Sequence, residues 1–173
     1  LRHVLLYAAT QQLEEQGPAK LSLRAIAREI GVSPAAPYAH FPDKESLLAA
    51  IAAGGFSLLR DVCFRAAETS GGDPRALGRA YVGFAIGHPH LYRLMFGGTI
   101  ESFASHPDLD GTSQAAFGFL RANLGGDTDA ASAAWAFVHG VATLLIDRRL
   151  KADDGDTLRL VDRLLQRFEA GKR

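Results

Sequence analysis

The chain has 173 residues, 47% of them hydrophobic, with 19 basic side chains balanced by 19 acidic ones. That length suits one domain, or a small domain joined to a larger one, and zero net charge neither requires nor forbids a nucleic-acid partner. A single cysteine, Cys63, excludes an internal disulfide and fits a reducing cytoplasm.

Residues 1 to 50 hold five basic and five acidic side chains, so any nucleic-acid footprint must be local. The longest nearly apolar run, Ala133 to Ile146, is interrupted by His139 and is too short to span a bilayer. The opening LRHVLLYAAT lacks the basic region and cleavage site of a signal peptide, so no membrane partner is expected.

Apolar residues recur at three- and four-residue spacing almost throughout, and alternating strand-like stretches are nearly missing. The reading is all-α, with about nine helices. The first runs from the start to about Gln16, with Val4, Leu5, Ala8, Ala9 and Leu13 on its inner face, and Gly17-Pro18 stops it. The second takes Ser22 as N-cap and runs to Gly31. Ser33-Pro34 opens the third, with a capping hydroxyl followed by proline where a missing N–H does no harm. Pro42-Asp43 separates it from a longer fourth helix, Lys44 to about Glu68. A fifth runs from Pro74 to Gly87, and Pro89 starts a short sixth that ends at Gly97-Gly98. The seventh is expected from Thr112 to Leu124 and the eighth from Asp127 to about Lys151. Asp156 begins the ninth, which ends near Gly171 and places Leu158, Val161, Leu164, Leu165 and Phe168 on one side.

The Ser22-headed helix, Gly31-Val32-Ser33 and Tyr38-x-His40-Phe41-x-Asp43-Lys44-Glu45-x-Leu47-Leu48 together resemble the tetracycline-repressor (TetR) family. Further on, His88-Pro89-x-Leu91-Tyr92-Arg93-Leu94-Met95-Phe96 and Trp135-x-x-x-His139-Gly140 resemble its subgroup named for a Trp-His-Gly signature. The resemblance implies a transcription regulator, most often a repressor, that binds palindromic operator DNA as a homodimer. It also implies a helix-turn-helix DNA-binding domain, residues 1–47, and an effector-binding and dimerisation domain, residues 48–173. A small, largely apolar effector would release the DNA, and the last two helices would pair the copies.

The segment meant to read the groove carries no Arg or Lys. Pro34, Ala35, Ala36 and Pro37 offer only apolar contacts, such as a methyl against a thymine methyl. This departs from family members that carry Lys or Arg there. Phosphate contacts supply most affinity, and candidates for them are Ser22, Arg24, Ser33, Tyr38, His40 and Lys44. By default Lys44 is a solvated lysine and Tyr38 a packed ring.

Tyr81, Phe84, Tyr92, Met95, Phe96, Phe117, Trp135 and His139 combine aromatic area with a few polar tips, as a small-molecule pocket needs. The plainer account is that they fill a core. Gly140, in mid-helix, suggests that another helix or a ligand passes close. Leu144, Leu145, Arg148, Leu160, Val161, Leu164 and Phe168 are the candidates for an interface between copies.

An enzyme is disfavoured. His88 and His90, two apart, do not share a helix face, and no cysteine or carboxylate stands at metal-ligand spacing; no nucleophile elbow or phosphate-cradling loop occurs. No metal and no cofactor are expected. The other rival is a helical adaptor that has lost sequence-specific DNA binding, for which the residues from Pro34 to Pro37 are the one supporting feature.

Overall fold

The computed structural model describes residues 1–153 and 155–171. Among them are eight α-helices and two short 3-10 turns, with no strand. The helices are α1 (Arg2–Gln16), α2 (Leu23–Glu29), α3 (Lys44–Ser70), α4 (Pro74–Gly87), α5 (Pro89–Phe96), α6 (Pro107–Asn123), α7 (Thr128–Ile146) and α8 (Thr157–Ala170). They form two compact units that interleave along the chain: Leu1–Ser57 with His88–Gln114, and Leu58–Gly87 with Ala115–Arg173.

In the first unit α1 packs on α2 and α5. Leu5, Ala9, Leu13, Ile26 and Ala27 are fully buried, one stripe of each helix turned inward. Val4 does not join them. It is 53% exposed and shares an outward apolar strip with Leu1 and Tyr7, because Leu5, Ala8, Ala9 and Leu13 already fill the inner arc. Gly17, at φ 76, ends α1, and its N–H returns to the Leu13 carbonyl. Farther along, a methyl group on Gly55 would lie 2.6 Å from Met95 Sδ, so α3 and α5 touch through a missing side chain.

The third helix expected from the sequence is largely unwound. Residues 34–35 turn, and only Ala36–Ala39 close, as a 3-10 helix. Pro37 explains this. It has no N–H to return to Ser33, so the bonds that form are the tighter ones: Ala36 N–H to Ser33 O at 3.0 Å and Tyr38 N–H to Ala35 O at 3.2 Å. His40 and Phe41 then both donate to the Pro37 carbonyl at 2.9 Å.

Elsewhere the ends shift by physical cause. Helix α6 begins at Pro107 rather than Thr112, because proline is suited to a first turn that also carries Asp108 and Asp110. Helix α7 ends at Ile146 rather than Lys151. Arg148 adopts φ 57 there, while Arg149 N–H reaches Leu144 O at 2.8 Å and Arg148 N–H reaches Leu145 O at 3.0 Å. This is the Schellman closure, with arginine where glycine is usual.

In the second unit α4 packs against both α7 and α8. Gly78 makes this possible, since a methyl group there would stand 2.6 Å from Leu165 Cδ2 and 3.3 Å from Val138 Cγ1. An Arg79–Asp162 ion pair and an Arg75–Glu169 pair at 3.5 Å flank the seam, and Phe137 stacks on Phe168 with centroids 4.2 Å apart. Val161, expected between copies, is instead wholly buried within the chain: one turn before Leu165, it shares the inward face of α8.

Helices α3 and α7 are each long and apolar enough to cross a bilayer by length and composition, and only 22% of the apolar stretch of α7 is buried. Starting at Thr128 makes α7 longer than its apolar run suggests. Its outward face carries Ala133, Ala136, Thr143 and Leu144.

Filling the Gly78 gap tests this packing. Gly78→Ala is expected to lower unfolding stability by about 1–3 kcal/mol, as overpacking does, despite alanine's better helix propensity. Urea denaturation checks it, and a gain in stability would show that α4 does not need the close approach.

Candidate nucleic-acid interface and aromatic cluster

The exposed polar side chains of α2, the 33–41 turn and the start of α3 all belong to the first unit. Ser22 caps α2, its hydroxyl accepting from Ala25 N–H at 3.4 Å, as its position predicts. Its own N–H is already donated to Gln12 Oε1 at 3.3 Å, which ties the start of α2 to α1. Arg24, Ser33, Pro34, Ala35, Tyr38, His40 and Lys44 are all exposed, and Ala36 is half-buried.

Pro37 departs from the set. Its ring is fully buried, so it is a core residue beneath the turn and has no face to offer a base. The apolar surface that remains is Pro34, Ala35 and part of Ala36. Tyr38 is 43% exposed, so it is not the packed ring of the plainer reading.

Lys44 is more than a solvated lysine. Its Nζ donates to the Ala19 carbonyl at 3.3 Å and so ties the α1–α2 loop to the start of α3. Asp43 caps that same helix start, with Oδ1 accepting from Ser46 N–H at 2.7 Å; these Ser46 hydrogen bonds hold its carboxyl below the usual carboxylate range. Glu45, one residue on, meets His106 Nε2 at 3.2 Å. Arg2 places its guanidinium 5.4 Å from the centre of the buried Phe41 ring. Glu14 approaches His88 Nδ1 at 3.5 Å. Apart from the Asp43 cap, sequence spacing reveals none of these pairs, because their partners lie 25 to 74 residues apart; only the types, a carboxylate with an imidazole, are suggestive.

The eight pocket candidates separate into two sets. In the first unit Tyr92 and Met95 are buried and Phe96 is half-buried; Phe96 meets Phe56 edge-on with centroids 5.2 Å apart. In the second unit Tyr81 and Phe84 on α4, Phe117 on α6, and Trp135 and His139 on α7 make up the rest. Trp135 Nε1–H donates to Tyr81 Oη at 3.2 Å, and the same oxygen lies 3.2 Å from His139 Nδ1. Phe117 and His139 both meet the indole edge-on, at 6.1 and 5.9 Å between centroids. Burial pushes the His139 imidazole below its ordinary range, which favours the neutral ring. Gly140, beside it, has no atom of another element among the described residues within 4 Å of where a Cβ would stand.

Residues 5–51 match the model for bacterial regulatory proteins of the tetR family, and residues 75–168 match the tetracyclin repressor-like C-terminal domain. The chain belongs to the TetR family. Its residues 5–51 are of the kind found in bacterial regulatory proteins, and its curated relatives are named HTH-type transcriptional regulators. An HTH-type transcriptional regulator of Mycobacterium tuberculosis H37Rv is 33% identical over 103 residues, covering 57% of this chain and 44% of that protein. The chain thus matches less than half the length of such curated relatives. The structure of a Rhodococcus sp. RHA1 protein of unknown function superposes with a TM-score of 0.79 at 33% identity, over 96% of this chain and 93% of that one. The multidrug binding protein EbrR, solved with imidazole, shares the fold at a TM-score of 0.63 and 22% identity, over 94% and 93% of the two chains. The C-terminal match is not to a model named for the Trp-His-Gly signature, so the family is shown and the subgroup is not.

The Asp43 cap gives this TetR reading head a pH dependence. A carboxyl whose folded pKa is depressed adds stability above its unfolded value, about 3.9, and loses it as pH falls through the lower folded value. Asp43→Ala is expected to cost about 1 kcal/mol at neutral pH, as lost caps do, with the gap to wild type closing below about pH 4. Thermal unfolding from pH 3 to 7 measures it, and a gap independent of pH would remove Asp43 from that role.

Proposed function

We propose that this chain is a ligand-responsive repressor of the TetR family that binds palindromic operator DNA as a homodimer in the cytoplasm. A small, largely apolar effector releases it. The observation that carries the DNA half is the shared exposure of Arg24, Ser33, Tyr38, His40 and Lys44 around an uncharged turn. Phosphate contacts from these side chains give affinity, and Pro34 and Ala35 form a low surface that lets the backbone come near the base edges. Selectivity then leans on thymine methyls and on DNA shape, since no side chain in the turn makes bidentate base contacts.

Fluorescence anisotropy on DNA upstream of the chain's own gene, against scrambled DNA at several salt concentrations, tests this. Wild type is expected to prefer the upstream DNA and to weaken as salt rises. Lys44→Ala is expected to weaken binding about equally on both DNAs and to reduce the salt slope by about one. Absence of any salt-dependent binding would favour the adaptor instead.

The dimer half rests on α7. A helix this apolar and this exposed leaves Ala133, Ala136, Thr143 and Leu144 in water, around a Gly140 whose Cβ position has no neighbour within 4 Å among the described residues. Small residues at this spacing suit close contact with another helix, and a second copy of the chain is the partner proposed. Leu145, Leu160, Leu164 and Phe168, all half-buried, and the exposed Arg148 would rim it. Gly140→Leu is expected to convert a dimer to monomer in sedimentation at micromolar concentration while leaving the helical content unchanged. An unaltered dimer would exclude this face. For the effector, the proposed site is the Tyr81, Phe84, Phe117, Trp135 and His139 cluster, which includes the Trp and His of the proposed subgroup's signature.

A further inference from the structure

Helix α2 closes its two ends in different ways. At the C-terminal end the chain closes itself: Gly31 adopts φ 73, its N–H reaches Arg28 O at 3.3 Å, and Val32 N–H reaches Ala27 O at 2.9 Å, which is the Schellman pattern. The N-terminal end is incomplete on its own. Ser22 Oγ accepts from Ala25 N–H at 3.4 Å, and this is half of a capping box. The other half needs Glu or Gln at residue 25, reaching back to Ser22 N–H, and an alanine stands there. The acceptor comes from α1 instead: Ser22 N–H donates to Gln12 Oε1 at 3.3 Å, across ten residues of sequence.

The borrowed acceptor does what a local one cannot. Leu23, Ile26 and Ala27 are buried and keep α2 on the core, but burial is non-directional and lets a short helix slide or turn about its axis. A hydrogen bond has a preferred length and angle, so this one fixes the start of α2 relative to α1. Arg24 and Arg28, four residues apart and both exposed, share one side of that helix and turn with it.

We infer that Gln12 is a positioning residue for DNA recognition: by accepting Ser22 N–H from the neighbouring helix, it sets the direction in which Arg24 and Arg28 are presented. This rests on the DNA reading given above. Phosphate contacts give affinity on any sequence, whereas selectivity needs them in register with the base edges. A misdirected α2 therefore loses preference before it loses affinity.

Two readouts on the full chain test this: amide hydrogen exchange at Ser22, and fluorescence anisotropy on upstream and scrambled DNA at several salt concentrations. Gln12→Leu is expected to speed Ser22 exchange about fivefold, as loss of one neutral hydrogen bond does. It is also expected to lower the preference for upstream DNA by about the same factor, with scrambled-DNA affinity and salt slope unchanged because no cation is removed. Gln12→Glu, which keeps an acceptor at the same reach, should retain both wild-type values. Gln12→Asn, one methylene too short, replaces Gln12→Leu if that variant folds poorly. Adding Ala25→Gln to Gln12→Leu, compared with Ala25→Gln alone, separates positioning from capping. The new glutamine completes the capping box, so Ser22 protection should return while the DNA preference stays low. Full recovery of the preference would show that a capped helix suffices and would overturn the inference. An unchanged preference in Gln12→Leu, with wild type binding selectively, would remove the inference and leave the DNA reading standing. If wild type shows no selective, salt-dependent binding, the DNA reading falls and takes this inference with it.

Discussion

The turn at residues 33–41 depends on the burial of Pro37 and Phe41. A segment with a missing N–H and three small residues has little helical stability of its own, and in water it would unwind. Two buried rings anchor it from beneath, and the Pro37 carbonyl receives both His40 and Phe41 N–H groups. Exposure of Ser33, Pro34, Ala35, Tyr38 and His40 follows, because the turn is held from one side only. Around it, the Asp43 cap, the Lys44 tether to Ala19 and the Gln12 bond to Ser22 fix the neighbouring helix ends. Each is a single bond near the surface. The turn is thus placed by its apolar anchor and oriented by polar ties.

In the second unit, close packing and polar chemistry meet on α4. Gly78 lets α7 and α8 approach, and Tyr81, nearly one turn later, carries the hydroxyl between Trp135 and His139. Displacing α4 outward would lengthen both bonds. The geometry of the hydrogen-bond chain therefore inherits its precision from an absent methyl group. The outward face of α7, by contrast, owes its character to composition alone.

Features governed by local chemistry were legible in the sequence. Ser22 is a cap, Gly17 and Pro89 punctuate helices, and apolar spacing places Leu5, Leu13 and Ile26 in a core. Where several local signals agree, the chain obeys them. The misreadings arise where a residue serves two rules at once. Pro34 fits a helix start, yet Pro37 forbids the first α-type bond, and the conflict resolves into a 3-10 turn. Val4 and Val161 are both apolar, but one faces water and the other the core, since several apolar positions compete for one inner arc. Gly140 suggested a close approach, yet no described element lies within 4 Å of where its Cβ would stand. The Trp135–Tyr81–His139 chain joins residues 54 and 58 positions apart, beyond the reach of any periodicity.

Cys63 faces inward on α3, its sulfur 4.0 Å from the Leu77 carbonyl, and burial pushes its thiol up to about 12. At neutral pH almost none of it is thiolate, the form that reacts. The natural chain is therefore expected to react slowly with maleimides and similar labels. One cysteine placed at an exposed position such as Tyr7, which is 70% exposed, would be the sole reactive handle per copy. In the proposed two-fold assembly that yields one label-to-label distance, from which the spacing of the two copies can be followed as candidate effectors are added.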